Sequence, residues 1–229
     1  NARKQIVDYL RSKQDVEVSA FLFSNWDIDL KIWARHPGQF YDFYNSFIDK
    51  FSEYIAEKDF SLITGVHYLS HAHIHGHRSD LFIGKQYSQE IPEEEDACIL
   101  DALKKDARQD VVSLARNCKL ALHIVRYRIK QLTKKGILKG VIPVIDTTKL
   151  GYNQYNVELI LNQPSMRQSI VKHLKTLNPI TRIYELIGRH DISFEAQFKS
   201  NDELDTFLEE LRLHGNEIKD FQVMNMISK

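Results

Sequence analysis

The sequence is poor in cysteine, and it contains no long apolar run. No stretch approaches the roughly 20 apolar residues that a bilayer-spanning helix needs, so nothing in it reads as a membrane anchor. The opening residues Asn1, Ala2, Arg3 and Lys4 have no apolar run behind them, which argues against a secretory signal. The chain does not open on Met, which points to a fragment or a processed product. There are two cysteines, Cys98 and Cys118. Both fall on apolar positions of helical patterns, and neither has a partner at metal-ligand spacing. The expectation is reduced core thiols in a cytoplasmic protein, with no metal and no cofactor. No glycine-rich phosphate loop and no nucleophile-elbow pattern occurs, so no enzyme motif is on offer. Net charge is lacking too, with 31 basic and 31 acidic residues in 229. That length suits more than one domain and fewer than three.

The distribution of charge says more than the sum. From Val111 to Lys139 there is no acidic residue, while Arg116, Lys119, Arg126, Arg128, Lys130, Lys134, Lys135 and Lys139 all stand there. A neutral chain with one strongly basic segment carries a localised electrostatic footprint. The plainer alternative is a solvated basic helix face; the pattern around the segment favours the footprint.

An internal repeat frames that segment. Setting Ile6 on Ile170, an offset of 164, also places Arg3 on Arg167, Val7 on Val171, Leu10 on Leu174, Leu22 on Leu186 and Asp27 on Asp191. Phe43 falls on Phe207, and Lys58-Asp59-Phe60 matches Lys219-Asp220-Phe221 at an offset of 161. Residues 3–13 and 166–177 carry apolar residues at helical spacing. Ile28, Leu30 and Ile32 alternate with Asp27, Asp29 and Lys31; Ile192, Phe194, Ala196 and Phe198 alternate with Ser193, Glu195, Gln197 and Lys199. Period two predicts antiparallel strands with one face on a core. Helices follow, through Phe40, Phe43, Tyr44, Phe47 and Phe51 in one copy and Leu204, Phe207, Leu208 and Leu211 in the other. Ser200 with Glu203 three residues on is a capping box. Strands over 62–69 and 221–227 close the copies. The second copy has a further strand in front, 155–161, giving βαββαβ, a split βαβ sandwich with both helices on one side of the sheet. The matching strand of the first copy would lie before residue 1, so the natural product is expected to continue upstream.

Between the copies, 84–92 reads as a linker, and Glu93, Glu94 and Glu95 suit the first turn of a helix. Ile99, Leu100 and Leu103 mark that helix, Asp110 is an N-cap for a second, and a turn falls at 117–120. A third helix has Leu122, Val125, Ile129 and Leu132 on one face, with a basic opposite face, and ends at Gly136. Three short helices, the last one basic, fit a helix-turn-helix whose last helix enters the major groove of DNA. From Gly136 to Gly140 a strand is expected to lead out.

Taken together, Asp96, Ile99, Leu100, Leu103, Asp106-Ala107-Arg108, Leu114-Ala115, Arg128-Ile129, Leu132, Gly136-Ile137-Leu138, Gly140, Ile145-Asp146 and Leu150-Gly151-Tyr152 resemble the Lrp/AsnC family of feast/famine regulators. Gly188 and Asp191 stand where that family's regulatory (RAM) module has its glycine and aspartate. The resemblance covers 93–229 and extends to 3–69 through the repeat. It implies an α+β protein: a first RAM-like module over 1–83 lacking its first strand, a linker at 84–92, a DNA-binding domain at 93–140, and a second module at 141–229 for effector binding and dimerisation. Implied partners are double-stranded DNA, a small-molecule effector such as an amino acid, and further copies of the chain, at least as a dimer.

On the helix-turn-helix, His123, Arg126, Tyr127 and Lys130 are expected to face the groove, with Arg116, Lys119 and Lys134 on phosphates; Gly188, Arg189 and Asp191 are expected at the effector. The family usually has a small turn residue and a Ser where Lys119 and Ala121 stand here, and Ser24 replaces the glycine in the first copy.

Two clusters read as structure rather than as sites. His67, His71, His73, His75 and His77 would share one face of an extended strand, but no thiolate or carboxylate is fixed beside them, so a polar strand end is preferred to a metal site. Asp27 and Asp29 between Trp26 and Trp33 read as a solvent face rather than a sugar site. Two alternative functions remain: an enzyme resembling the sirohaem decarboxylases, whose required histidine is replaced by the 146–149 segment here, and a sensing or scaffold protein whose DNA-binding part has decayed.

Overall fold

The computed structural model describes residues 2–13, 15–22, 26–84, 92–143, 145–213 and 216–226, with backbone alone at 19–22. In chain order the elements are α1 (Ala2–Arg11), β1 (Val16–Leu22), β2 (Ile28–Ile32), α2 (Pro37–Phe51), β3 (Ser61–Leu69), α3 (Ala72–His75), β4 (Asp80–Gly84), α4 (Glu94–Lys105), α5 (Val111–Asn117), α6 (Leu122–Lys134), β5 (Asn153–Leu161), α7 (Arg167–Leu174), β6 (Ile180–Gly188), β7 (Ile192–Phe198), α8 (Asn201–Arg212) and β8 (Ile218–Met226). The architecture is α+β, with one eight-stranded antiparallel sheet in the order β2-β1-β8-β5-β7-β6-β3-β4.

The second half forms as the alternation predicts. Val157, Leu159, Ile183, Ile192, Phe194 and Ala196 turn one face of β5–β8 towards Ile170, Val171 and Leu174 of α7 and Leu204, Phe207 and Leu211 of α8. The cap half of the expected box is present, Ser200 Oγ accepting from Glu203 N at 3.2 Å, while the Glu203 carboxylate reaches one residue past the N-cap and accepts from Lys199 N at 2.8 Å. The local strand order β8-β5-β7-β6 is fourth, first, third, second, so the first strand of a βαββαβ unit lies between the third and the fourth.

That order explains the first half. Here β1 and β2 pair as a hairpin, Val16 opposite Ile32 and Ala20 opposite Ile28. Ile6, Leu10, Val18 and Phe51 form its core with Tyr9, Phe43 and Phe47. Among the described residues no strand stands between β2 and β3. With no strand of its own half between it and β2, β3 takes β6 on that side, Ser61 opposite Gly188 and Tyr68 opposite Arg182. β4 extends that edge as a hairpin with β3. β4 was not foreseen, and it takes Gly84, the first residue of the linker expected at 84–92; 85–91 lie outside the described residues, as does Ser24.

The polar faces of the strands correct the expectation of solvent. β1 joins the edge of β8 through Phe21 and Met226. Even so, its neighbours reach β6 and β7: Arg182 bonds Glu17 at 2.6 Å, and Lys31 lies 3.9 Å from Glu195. The hairpin therefore folds over the open face of the second half. Lys31 is 8% exposed and Glu195 3%, and all seven residues of β7 are buried. Asp29 is not a solvent acid of a sugar-like pair but binds Lys31 at 2.6 Å. Burial opposes the charge on Lys31, yet Asp29 and Glu195 outweigh it and hold the ammonium above its ordinary pKa.

Candidate nucleic-acid interface

The helix-turn-helix is a separate small core. Ile99 of α4, Leu114 and Ala115 of α5, and Val125 and Leu132 of α6 are buried together. Leu122, expected on that face, is 37% exposed. Asp110 caps α5, accepting from Ser113 N at 2.7 Å; that backbone bond lowers its carboxyl pKa, with the charge of Arg116 nearby adding to the effect. α6 starts at Ala121, whose backbone is extended as an N-cap requires but whose side chain offers no acceptor. The turn before it closes through Lys119, the one non-glycine residue among those described with positive φ, at 54°. Gly136, at φ 70°, ends α6.

Sealing the apolar stripe of α6 leaves the rest outside. Arg116, Lys119, His123, Arg126, Tyr127, Lys130 and Lys134 are all exposed. Tyr127 keeps 61% of its surface. Lys119, Arg126, Lys130 and Lys134 form no ion pair among the described residues, so their charge is available to a polyanion. Arg128, counted in the basic stretch, points the other way. Its guanidinium meets Asp96 at 3.2 Å, Glu93 at 3.0 Å and also Glu95, so it ties α6 to the start of α4. Sequence reasoning missed this pair, although Arg128 sits at helical spacing between Val125 and Leu132, within an apolar stripe.

The cysteines are not free. Cys98 of α4 and Cys118 at the end of α5 form a disulfide across a Cα separation of 5.8 Å. The expectation of reduced thiols is overturned because the helix pairing brings two half-buried positions face to face, which their separate apolar patterns cannot reveal. Residues 137–143 form no strand: the N–H groups of Ile137 and Leu138 turn back to the Leu132 carbonyl at 2.9 and 3.1 Å, and Lys139 reaches the carbonyl of Phe82 at 3.5 Å.

At the expected effector position, Gly188 and Arg189 are exposed. A side chain at Gly188 would meet Ser61 Oγ at 2.5 Å and the Phe60 carbonyl at 2.9 Å, so the close approach there is made by β3. Asp191 is engaged through both oxygens: Arg167 donates to one at 3.0 Å and the Leu161 backbone N–H to the other at 2.9 Å. The repeat preserves part of this, for Arg3 donates to the carbonyl of Asp27 at 3.3 Å. The histidines do not share one face. His67 lies on β3 between Asp80 (3.1 Å) and Glu185 (3.2 Å), while His71 to His75 turn into α3. Among the described residues no group of three or more metal-ligating side chains gathers.

A helix-turn-helix with Lys119, Arg126, Lys130 and Lys134 exposed and outside any ion pair among the described residues, joined to a two-helix antiparallel sheet unit, fits the class of DNA-binding transcription regulators. No family model matches the chain. It is 30% identical over 112 residues to the HTH-type transcriptional regulator LrpA of Pyrococcus abyssi, covering 49% of this chain and 79% of that protein. It is 30% identical over 115 residues to the HTH-type transcriptional regulator Ptr1 of Methanocaldococcus jannaschii, covering 50% and 78%. With the regulatory protein AsnC of Haemophilus influenzae it shares 27% over 114 residues, 49% and 76%. The chain belongs to the Lrp/AsnC family of helix-turn-helix transcription regulators, which are not enzymes. Among solved structures, AsnC of E. coli superposes with a TM-score of 0.54 at 22% identity, over 61% of this chain and 95% of that one. LrpC of B. subtilis does so at 0.54 and 23%, over 61% and 97%. A transcriptional regulator of Neisseria meningitidis in complex with L-Met scores 0.54 at 18%, over 60% and 90%. These likenesses concern the fold. No helix among the described residues is long and apolar enough to cross a membrane.

Proposed function

We propose that this chain is a cytoplasmic, DNA-binding transcription regulator that responds to a small metabolite of the amino-acid class and works as a homo-oligomer, at least a dimer. The observation that carries the DNA reading is the single exposed face bearing Arg116, Lys119, His123, Arg126, Tyr127, Lys130 and Lys134, opposite a sealed core. On this reading Arg126, Tyr127, Lys130 and His123 meet base edges and the other three meet phosphates. Residues 93–140 are the DNA-binding domain, 141–229 the effector and dimerisation module, and 1–83 a second, incomplete copy of that module laid against the first. The Neisseria relative's L-Met supports the effector class, and the exposed turn at Gly188 and Arg189 is the place proposed for it. Asp191 belongs to that turn, orienting it through Arg167.

The deciding experiment selects genomic duplexes with the full chain, with and without a panel of amino acids, and then measures Arg126→Ala combined with Lys130→Ala on a selected duplex. The expected loss is tenfold or more, about 1.4 kcal/mol. Unchanged affinity at moderate salt overturns the reading and favours a sensing or scaffold protein.

A further inference from the structure

The chain's two cysteines meet beside the turn of the DNA-binding unit that carries a left-handed lysine and an uncapped helix start. Cys118 is the last residue before Lys119, whose left-handed backbone turns the chain towards α6. The helix beyond begins at Ala121 without a side-chain cap, so its first turn holds itself poorly. The backbone bond from Leu120 N to Ala115 O, 2.9 Å, closes the turn from within. From outside, the turn is bound to α4 by the Cys98–Cys118 bridge, across 20 residues of sequence. α4 also holds the middle of α6, through Arg128 and the acids Glu93, Glu95 and Asp96. One helix thus fixes the turn covalently and the recognition helix electrostatically. Both cysteines are only partly buried. Arg116 and Lys119, both exposed and both assigned to phosphates on the reading above, lie within two residues of Cys118.

We propose that the Cys98–Cys118 pair is a thiol–disulfide switch on DNA recognition, an inference that rests on the DNA-binding reading above. With the bridge closed, the turn and the start of α6 are held in the geometry that reads bases. Opening proceeds by exchange. Two molecules of a small thiol are oxidised to one small disulfide; the Cys98–Cys118 bond breaks, and each sulfur ends as a thiol carrying one proton. Closing runs the same exchange backwards, with a small disulfide as oxidant. Once open, the turn must hold a left-handed lysine and an uncapped helix start without its tether, and the ordering is repeated at each binding event. Phosphate contacts from long, exposed cations tolerate that slack; base-edge contacts do not.

The test uses the full chain and two duplexes, one selected from genomic DNA by the oxidised protein and one of random sequence. Reduction with a dithiol is expected to weaken the selected duplex about tenfold while changing the random duplex less than about twofold. Oxidised glutathione then restores the affinity. Cys98→Ser combined with Cys118→Ser should match the reduced protein whether or not oxidant is added, with far-ultraviolet circular dichroism reporting that α4–α6 remain folded. If that variant unfolds, the reversible cycle on the unsubstituted chain decides alone. Equal affinity of oxidised and reduced protein for the selected duplex overturns the switch and leaves DNA binding standing. Absence of binding to either duplex in both states overturns the DNA reading, and the switch with it.

Discussion

Lys119 sits at φ 54°, where a side chain costs about 1 kcal/mol relative to glycine. Lys119→Gly should therefore raise the stability of the DNA-binding unit by about that amount, seen as a higher midpoint in thermal melts. The same change removes an exposed cation, and if Lys119 meets a phosphate the slope of log affinity against log salt should fall by about one unit. A more stable protein with an unaltered salt slope would remove Lys119 from the interface. At the other end of the molecule, Asp191 joins α7 to the end of β5 through Arg167 and the Leu161 N–H. Asp191→Ala should cost about 1.5–3 kcal/mol in urea unfolding, the usual scale for a charged hydrogen bond left open. Loss of effector response in that variant would thus mix two causes. Arg189→Ala, at an exposed position, is the cleaner probe of the proposed effector turn. Some of these roles were legible from residue order alone: Arg3 and Arg167, Asp27 and Asp191 occupy matching places in the repeat. That Arg167 would grip Asp191 was not, because the residues stand on different elements and no local period links them.

Helices and strands followed from periodicity wherever one face was apolar. α1, α2, α7 and α8 lie where the helical spacing put them, and Asp110 and Ser200 cap as their types predict. α6 is the exception in its capping: Ala121 has N-cap backbone geometry, φ −69° and ψ 145°, without an oxygen to offer. Ala121→Ser should accept from a free N–H of the first turn and add about 1 kcal/mol, within the range measured for such caps. Calorimetry on the full chain checks this, and an unchanged or lower midpoint would mean the cap cannot form. β4 escaped because Leu81, Phe82 and Ile83 are too short a run for any period, and the strand exists only as the hairpin partner of β3. The Gly136–Gly140 strand was expected and is absent, since the N–H groups of Gly136, Ile137 and Leu138 are taken by the last carbonyls of α6 rather than by a neighbouring strand.

Across the whole molecule, the contact between the two halves is polar where they stack. Lys31, Glu195, Arg182, Glu17 and Tyr184 form one network, with the Tyr184 hydroxyl donating to Glu195 at 2.8 Å. Burial and the Glu195 charge push the Tyr184 hydroxyl pKa well up, so it stays a donor at any ordinary pH. Removing Lys31 leaves Glu195 held by Arg182 at 3.7 Å and by the Tyr184 hydroxyl, and opens one charged hydrogen bond to Asp29. Lys31→Ala should cost about 1.5–3 kcal/mol in urea melts, and a loss under about 1 kcal/mol would show that water reaches the layer. The β3–β4 hairpin is fastened by Asp80, whose carboxyl is raised by burial but lowered further by bonds from Lys175 (2.8 Å) and His67, with a net pKa below its ordinary 3.8. A depressed folded pKa stabilises fully above the unfolded value and is lost as pH falls through the folded one. The hairpin should accordingly loosen in acid, below about pH 4. Asp80→Asn should flatten that limb when unfolding is followed against pH, and an unchanged acid limb would place the titration elsewhere.

The sequence alone determined the helices α1, α2 and α4 to α8, the strands with a strictly alternating or closing pattern (β2, β3, β5, β7 and β8), that two like segments flank a basic helix-turn-helix, and which seven side chains remain outside it. All of these are local properties, set by side-chain order along a helix of period 3.6 or a strand of period two. Tertiary structure alone decided that β3 pairs with β6, that the polar faces of β2 and β7 close on one another, that Cys98 meets Cys118, and that Arg128 turns inward to three acids. Each of these joins residues distant in the chain. A period states that a face needs a partner and an edge needs a strand; which one arrives depends on the order of strands across the whole sheet.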